Sequence, residues 1–287
     1  MRDDFAVFIM VWGRPDKVIT LRSLNKHGYT GKVYLVADDL DNTLDGYKEK
    51  YSDNLLVFNK TELYEWFDAG DNSGDLRSTL YAANIIPRFA AELGIKYFCI
   101  FCDDYTAFHY KIDGEYKYID KAVLNLDKVF GYLLDYYKSI PATSIAIAQG
   151  GDYITAKDND IHKSLGRRRK VMNTFFCSIE RPFEFLGRMN EDVTTYINLG
   201  NKGNLFLTFP LLAICQPATQ SQKGGLTDLY IDYGTYIKSF FSIIYNPSNT
   251  KIGIMGDKEL RLHHKISWKN AVPCIIREDY RKASINT

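Results

Sequence analysis

Apolar residues gather along the first third of the chain into short continuous runs, each closed by charged or turn-forming positions. Runs of this kind suit strands buried on both faces of a parallel sheet. Residues 5–12 (FAVFIMVW), 32–39 (KVYLVADD) and 54–60 (NLLVFNK) read as three such strands, and the run from Ile95 (IKYFCIFCDDY) as a fourth. Helical spacing lies between them. Val18, Ile19, Leu21 and Leu24 share one face ahead of a stop at Gly28, and residues 75–94 carry a second helical pattern that ends on Gly94. A strand, helix, strand order implies a right-handed parallel crossover. Residues 1–110 are therefore expected to form an α/β half with a mostly parallel sheet, a fold that binds ligands at the carboxyl ends of its strands.

Beyond Asp104 the pattern changes. YKIDGEYKYID predicts a two-stranded excursion around an Asp-Gly turn, KAVLNLDKVFGYLLDYYKS a helix, and TSIAIAQGGDY a strand running into a Gly-Gly loop. Residues 155–175 are polar and strongly basic and predict a mobile loop; SQKGGL predicts another. TFFCSIERPFEFLGRMNEDVTTYINLG and NLFLTFPLLAICQ return to core-like patterning, and DLYIDYGTYIKSFFSIIY predicts one tyrosine-rich helix. No linker composition divides the chain, so a single domain spanning 1–287 is expected, its second half (111–287) completing the first.

Composition narrows the classes. A hydrophobic fraction of 46% and an aromatic fraction of 14% supply a large core, and a net charge of +1 gives no global field toward a polyanion. Any nucleic-acid contact must then be local. Five cysteines, an odd number in a long chain, suit free thiols in a reducing, cytoplasmic setting. Cys99 and Cys102 form a C-x-x-C, but lie three apart on a predicted strand and read as buried small residues rather than a redox or zinc pair. No apolar run is long enough to suggest a membrane anchor, and no heptad or apolar edge announces a protein partner.

The chemistry-bearing residues sit where these runs stop. Asp103 and Asp104 end the fourth strand, and Asp38 and Asp39 end the second. Adjacent acids repel, and a divalent cation such as Mg2+ or Mn2+ removes the repulsion and can bridge a diphosphate. The plain alternative is a solvated loop with two exposed acids. In LGRMNEDVTTY, Asp192 suits a general base beside Glu191, while Asn190 equally suits a helix N-cap whose first turn the acids stabilise. Arg167, Arg168, Arg169 and Lys170 form a cationic cluster suited to a phosphate backbone, to a sugar diphosphate, or simply to solvent.

In combination these features resemble a family. The WGRPDK turn after the first strand, the acidic pair after the second, an Arg before FCDDY, and the later NEDV together resemble the nucleotide-sugar glycosyltransferases of the GT-A fold. More narrowly, FCDDY, GRMNEDV, QSQKGGLTDLY, GTYIKSFF and HHKISW are similar to phage glycosyltransferases of the TET-associated group. That resemblance implies a GT-A α/β fold with a C-terminal acceptor-side subregion, the nucleotide-sugar half at 1–110 and the acceptor half at 111–287. It implies a metal-dependent, inverting hexosyl transfer from a UDP-sugar to a 5-hydroxymethylpyrimidine in phage DNA, in the host cytoplasm. Asp104 becomes the metal ligand, with Cys102 standing at the first position of the usual D-x-D, a departure from the pattern. Asp103 becomes a ribose or metal partner. Arg14, Asp38 and Asp39 fall to the nucleoside, Arg77 to the diphosphate, Asp192 to the catalytic base and Glu191 to its support. A C-terminal His, 263 or 264, with His264 preferred, is implied as a further metal ligand, against packing beside Trp268. Two rival readings remain: a glycosyltransferase of surface glycan synthesis, and a non-catalytic nucleotide- or DNA-binding module with a degenerate acid site.

Overall fold

The computed structural model describes residues 1–153, 173–217, 226–234, 236–255 and 260–271. The predicted strands form, in chain order, with β1 at Phe5–Met10, α1 at Ile19–Lys26, β2 at Lys32–Asp38, α2 at Leu44–Tyr51 and β3 at Leu55–Phe58. Next come α3 (Lys60–Tyr64), α4 (Leu80–Glu92), β4 (Tyr97–Cys102), β5 (Ala107–Ile112), β6 (Tyr118–Ala122), α5 (Leu126–Ser139) and β7 (Ala142–Gln149). The described remainder holds β8 (Phe175–Ser178), α6 (Glu191–Asn201), β9 (Leu205–Cys215), α7 (Thr227–Tyr233), α8 (Ile237–Tyr245), β10 (Thr250–Met255) and β11 (Arg261–Ile266).

Nine strands join one sheet in the order β3-β2-β1-β4-β8-β7-β9-β5-β6, and β10 pairs with β11 in a separate ribbon. Within the large sheet β3, β2, β1 and β4 run parallel, as do β7 and β9, while β8 and β5 run against their neighbours. This mixed, mostly parallel sheet with flanking helices is the GT-A α/β fold that the resemblance implies.

Pleating explains why the strand sequences read as unbroken apolar runs. Phe5, Val7 and Ile9 of β1 join Cys99 and Phe101 of β4 in the core under α1 and α5. Ala6 and Phe8 join Phe98 and Ile100 in the core under α4. Both faces are covered, so neither can be polar. Aromatic rings fill the first of these layers, with Phe130 edge-on to Phe5, Phe101, Phe108 and Phe176.

Three expectations need correction. The helix expected from residue 75 begins at Leu80, because Asp75 folds back to accept from the Arg77 amide at 3.0 Å and occupies the preceding turn. The single tyrosine-rich helix is two, α7 and α8, broken where Gly234 takes φ +82°. Helices α2 and α3, in polar sequence between β2 and α4, were not expected at all. The loops expected across 155–175 and SQKGGL lie mainly outside the described residues. Among the described residues no helix is long and apolar enough to cross a membrane.

Two glycine turns separate backbone strain from crowding. Gly28 has φ +76° and a methyl there would lie 2.8 Å from the Leu124 carbonyl oxygen, whereas Gly94 has φ +68° and open space. Gly94→Ala should cost about 1–2 kcal/mol of stability for the left-handed backbone alone. Gly28→Ala should cost a further ~1–3 kcal/mol from the forced overlap. Urea unfolding of both variants checks the difference, and equal losses would contradict the crowding at Gly28.

Candidate active site

The carboxyl ends of β1, β2, β3, β4, β7 and β9 open into one cavity of about 370 Å³. The start of α6 and residues of α7 and α8 complete its lining. Asp103, Asp104, Asp38, Arg14, Arg77, Glu191 and Asp192 all line it, although they come from widely separated parts of the sequence.

The β4 acids are held from behind. The Thr20 hydroxyl in α1 donates to the Cys102 carbonyl at 2.6 Å and accepts from the Tyr105 amide at 2.8 Å, while the Thr20 amide donates to the Asp103 carbonyl at 3.0 Å. One threonine thus fixes the backbone on both sides of the acid pair. Arg14 approaches from the β1 loop and donates to Asp103 Oδ1 at 2.6 Å. That loop is itself pinned: the Gly13 amide donates to Asp41 at 2.8 Å and the Arg14 amide to the Tyr47 hydroxyl at 3.0 Å. Asp103 is only 4% exposed, and its second oxygen, Oδ2, is buried without a hydrogen-bond partner. Burial pushes its carboxyl up to about 7, with Arg14 opposing the rise and Asp104 adding to it. Burial also raises the half-buried Asp104, again against Arg14.

The two acids after β2 part company. Asp38 faces the cavity in a buried ion pair with Lys60, 2.8 Å from its Nζ. Asp39 is exposed and its carboxylate accepts from the Lys60 amide at 2.9 Å, at the start of α3. It does not line the cavity, because a strand turns successive side chains to opposite sides. Arg77 is fixed by Asp75 at 2.8 Å and by Asp232 of α7 at 2.6 Å, so its guanidinium joins two walls of the cavity. Burial works against the Asp75 carboxylate, but the Arg77 hydrogen bonds and charge outweigh it and bring it down to about 2.

Glu191 and Asp192 open α6 and line the same cavity. Asn190 stands at the N-cap position with a left-handed backbone, φ 58°, and makes no side-chain cap; its amide donates to Ser242 at 2.5 Å. The expected side-chain cap is therefore absent, since this backbone turns the amide toward α8. Glu191 accepts a hydrogen bond from the Thr79 hydroxyl. Burial first, then the neighbouring Asp192, raises the Glu191 carboxyl well above its ordinary range. Asp192 Oδ1 accepts from the Val193 amide at 2.7 Å.

Other expected residues are not brought here. His264 pairs with Ile252 across the β10–β11 ribbon and stacks on His263 at 4.1 Å, and neither ring lines the cavity. Arg167, Arg168, Arg169 and Lys170 lie outside the described residues. Conversely, the sequence reading missed Lys60, Thr79, Gln149, Asn173, Gln216 and Lys238, all of which line the cavity. Only Lys60 left a trace, as a lone charge directly after the third apolar run. No group of three or more His, Cys, Asp and Glu side chains suited to a metal occurs among the described residues. Asp103 and Asp104 still fit a hard cation of the Mg2+ or Mn2+ type, which takes one or two carboxylates and completes its shell with phosphates and water. The unpartnered Asp103 Oδ2 is the oxygen such an ion would use.

A family description of TET-associated glycosyltransferases matches residues 5–225, well over half of the chain. The chain belongs to that family. The glycosyltransferase matches no curated protein. Among solved structures, glucosyl-3-phosphoglycerate synthase from Mycobacterium tuberculosis with Mg2+ and UDP aligns at 10% identity and a TM-score of 0.44, covering 91% of this chain and 87% of that one. The same synthase with Mn2+ and UDP-glucose aligns at 8% identity and a TM-score of 0.44, covering 91% and 86%.

The buried Asp103 predicts a pH signature in the metal-free protein. Its carboxyl rises from an ordinary 3.8 to about 7 on folding, so ionisation opposes the native state and stability falls as pH climbs through that window. Asp103→Asn should raise the melting temperature at pH values above about 7, through a stabilisation of no more than ~4 kcal/mol since Arg14 also loses its charge partner, with the gain vanishing below about pH 4. A pH-independent difference would contradict this.

Proposed function

We propose that this glycosyltransferase transfers a hexose, with inversion, from a UDP-sugar to the hydroxyl of a 5-hydroxymethylpyrimidine in DNA. The observation that carries the reading is that one cavity holds two acidic pairs, Asp103 with Asp104 and Glu191 with Asp192. Transfer between a diphosphate donor and a hydroxyl acceptor needs this division, with a cation-binding pair for the leaving group and a base for the nucleophile. The family's TET association supports the modified base as acceptor.

In this reading Asp104 and Asp103 hold Mn2+ or Mg2+, which supplies positive charge opposite the departing diphosphate. His264 is left out of that set, since it does not line the cavity. Arg14 holds Asp103 in place, and Asp38, fixed by Lys60, meets the nucleoside. Arg77, braced by Asp75 and Asp232, faces the phosphates. Asp192 takes the acceptor proton. Glu191, raised by burial and by Asp192 and accepting from Thr79, supports that base. The chain acts as one domain in the cytoplasm, with 1–110 serving the donor and 111–287, including the basic stretch Arg167 to Lys170, serving DNA.

Incubation with a panel of UDP-sugars and hydroxymethylated DNA, followed by mass spectrometry of the nucleosides, should show one hexose added per modified base. Addition to a glycan and never to DNA would replace the acceptor. Asp192→Asn should leave UDP affinity unchanged and slow transfer ~10²–10⁴-fold. Asp104→Ala should abolish both transfer and divalent-dependent UDP affinity, and full activity in chelator would remove the ion from the mechanism.

A further inference from the structure

A second cavity of about 250 Å³ adjoins the first and is lined by Tyr236, Lys238, Leu260, Arg261, Leu262 and His263. Lys238 lines both cavities and joins them. Its charge-bearing lining among the described residues is Lys238, Arg261 and His263. These cations are close enough to act on one another. Burial, followed by repulsion from Arg261, holds the Lys238 ammonium below its ordinary value, with Asp192 pulling the other way. Burial, Arg261 and Lys238 together hold His263 down.

Two further features favour an anion there. Lys238 lies in the first turn of α8, a helix start with no side-chain cap and no acid in that turn, where the backbone dipole favours negative charge. Tyr236, 50% exposed, lies beside the cations, and an accessible ring next to fixed positive charge is how single-stranded nucleic acid is held.

We propose that Lys238, Arg261 and His263 bind a backbone phosphate of the DNA acceptor, next to the nucleotide whose base enters the main cavity. The proposal rests on the acceptor reading above. The donor diphosphate is a poorer occupant, because Arg14 at the acid pair and Arg77 already line the main cavity, whereas Arg261 and His263 line only the second. Lys238 lies within electrostatic reach of Asp192, so a phosphate held at the junction sets an extruded base beside the proposed proton acceptor.

The test is fluorescence anisotropy of the full chain with a single-stranded deoxyoligonucleotide carrying one 5-hydroxymethylcytosine, over a series of salt concentrations. Arg261 is exposed on β11, so its truncation leaves the core untouched. Arg261→Ala should weaken oligonucleotide binding ~10-fold and reduce the slope of log affinity against log salt by about 0.7, one phosphate's share for a single strand. Arg261→Lys should keep the slope, His263→Gln should weaken binding to a smaller degree, and UDP affinity should be unchanged in all three. A wild-type slope in Arg261→Ala overturns the phosphate site and leaves the DNA acceptor standing. Loss of UDP affinity in step with oligonucleotide affinity also overturns it, by assigning the cluster to the donor. If the wild-type chain shows no salt-dependent oligonucleotide binding, the phosphate site and the DNA acceptor fall together.

Discussion

The rest of the site depends on a carboxylate kept out of water. Asp103 is buried at the end of a central strand with one oxygen on Arg14 and the other on nothing, and the fold holds it there through Thr20, which grips the chain on both sides of the acid pair. A charge so far out of water is costly even beside Arg14, and a cation or a proton on the second oxygen offsets that cost. The aromatic layer under β1 and β4 packs the strands that lead to the acid pair.

From this constraint the cavity divides into zones of different charge. The strand-end side carries acids braced by arginines, suited to a cation and a diphosphate. The α6 side carries a second acid pair in which burial and the proximity of Asp192 raise the Glu191 carboxyl. Beyond Lys238 the described lining adds Arg261 and His263 beside Tyr236, Leu260 and Leu262. A sugar donor, a hydroxyl and a phosphate backbone, the groups of the proposed reaction, make different electrostatic demands, and adjoining zones of this kind would meet them separately.

Much of this architecture was legible in the sequence, for a physical reason. Strands buried on both faces must be continuously apolar, so β1, β2 and β4 stood out, and a charge that follows such a run at once must lie at the sheet's rim. The acids at 38, 103 and 104 were found that way, whereas those at 191 and 192 were read from the polar stretch that opens a later apolar pattern. Contacts between remote residues were not legible: Arg14 and Asp103 are 89 positions apart, and nothing local marks their pairing. Nor did α2 and α3, whose short polar sequences are ordered by tertiary contact, as with Tyr47 sealed in the core. Asn190 misled because a residue that favours N-caps also tolerates a left-handed backbone, and here the second property was used. Asp39 misled because adjacency in sequence hides opposite facing on a strand.

The central claim, that the acid pair after β4 exists to hold a divalent cation on a diphosphate, is tested most directly by calorimetric titration of Mn2+ in buffers of different ionisation enthalpy. The account predicts that Mn2+ binds more tightly when UDP is present. It also predicts proton release that is larger near about pH 6 than near about pH 9, because the raised Asp103 carboxyl must ionise to ligate. Mn2+ affinity that ignores UDP, with a proton count that does not change with pH, would contradict it.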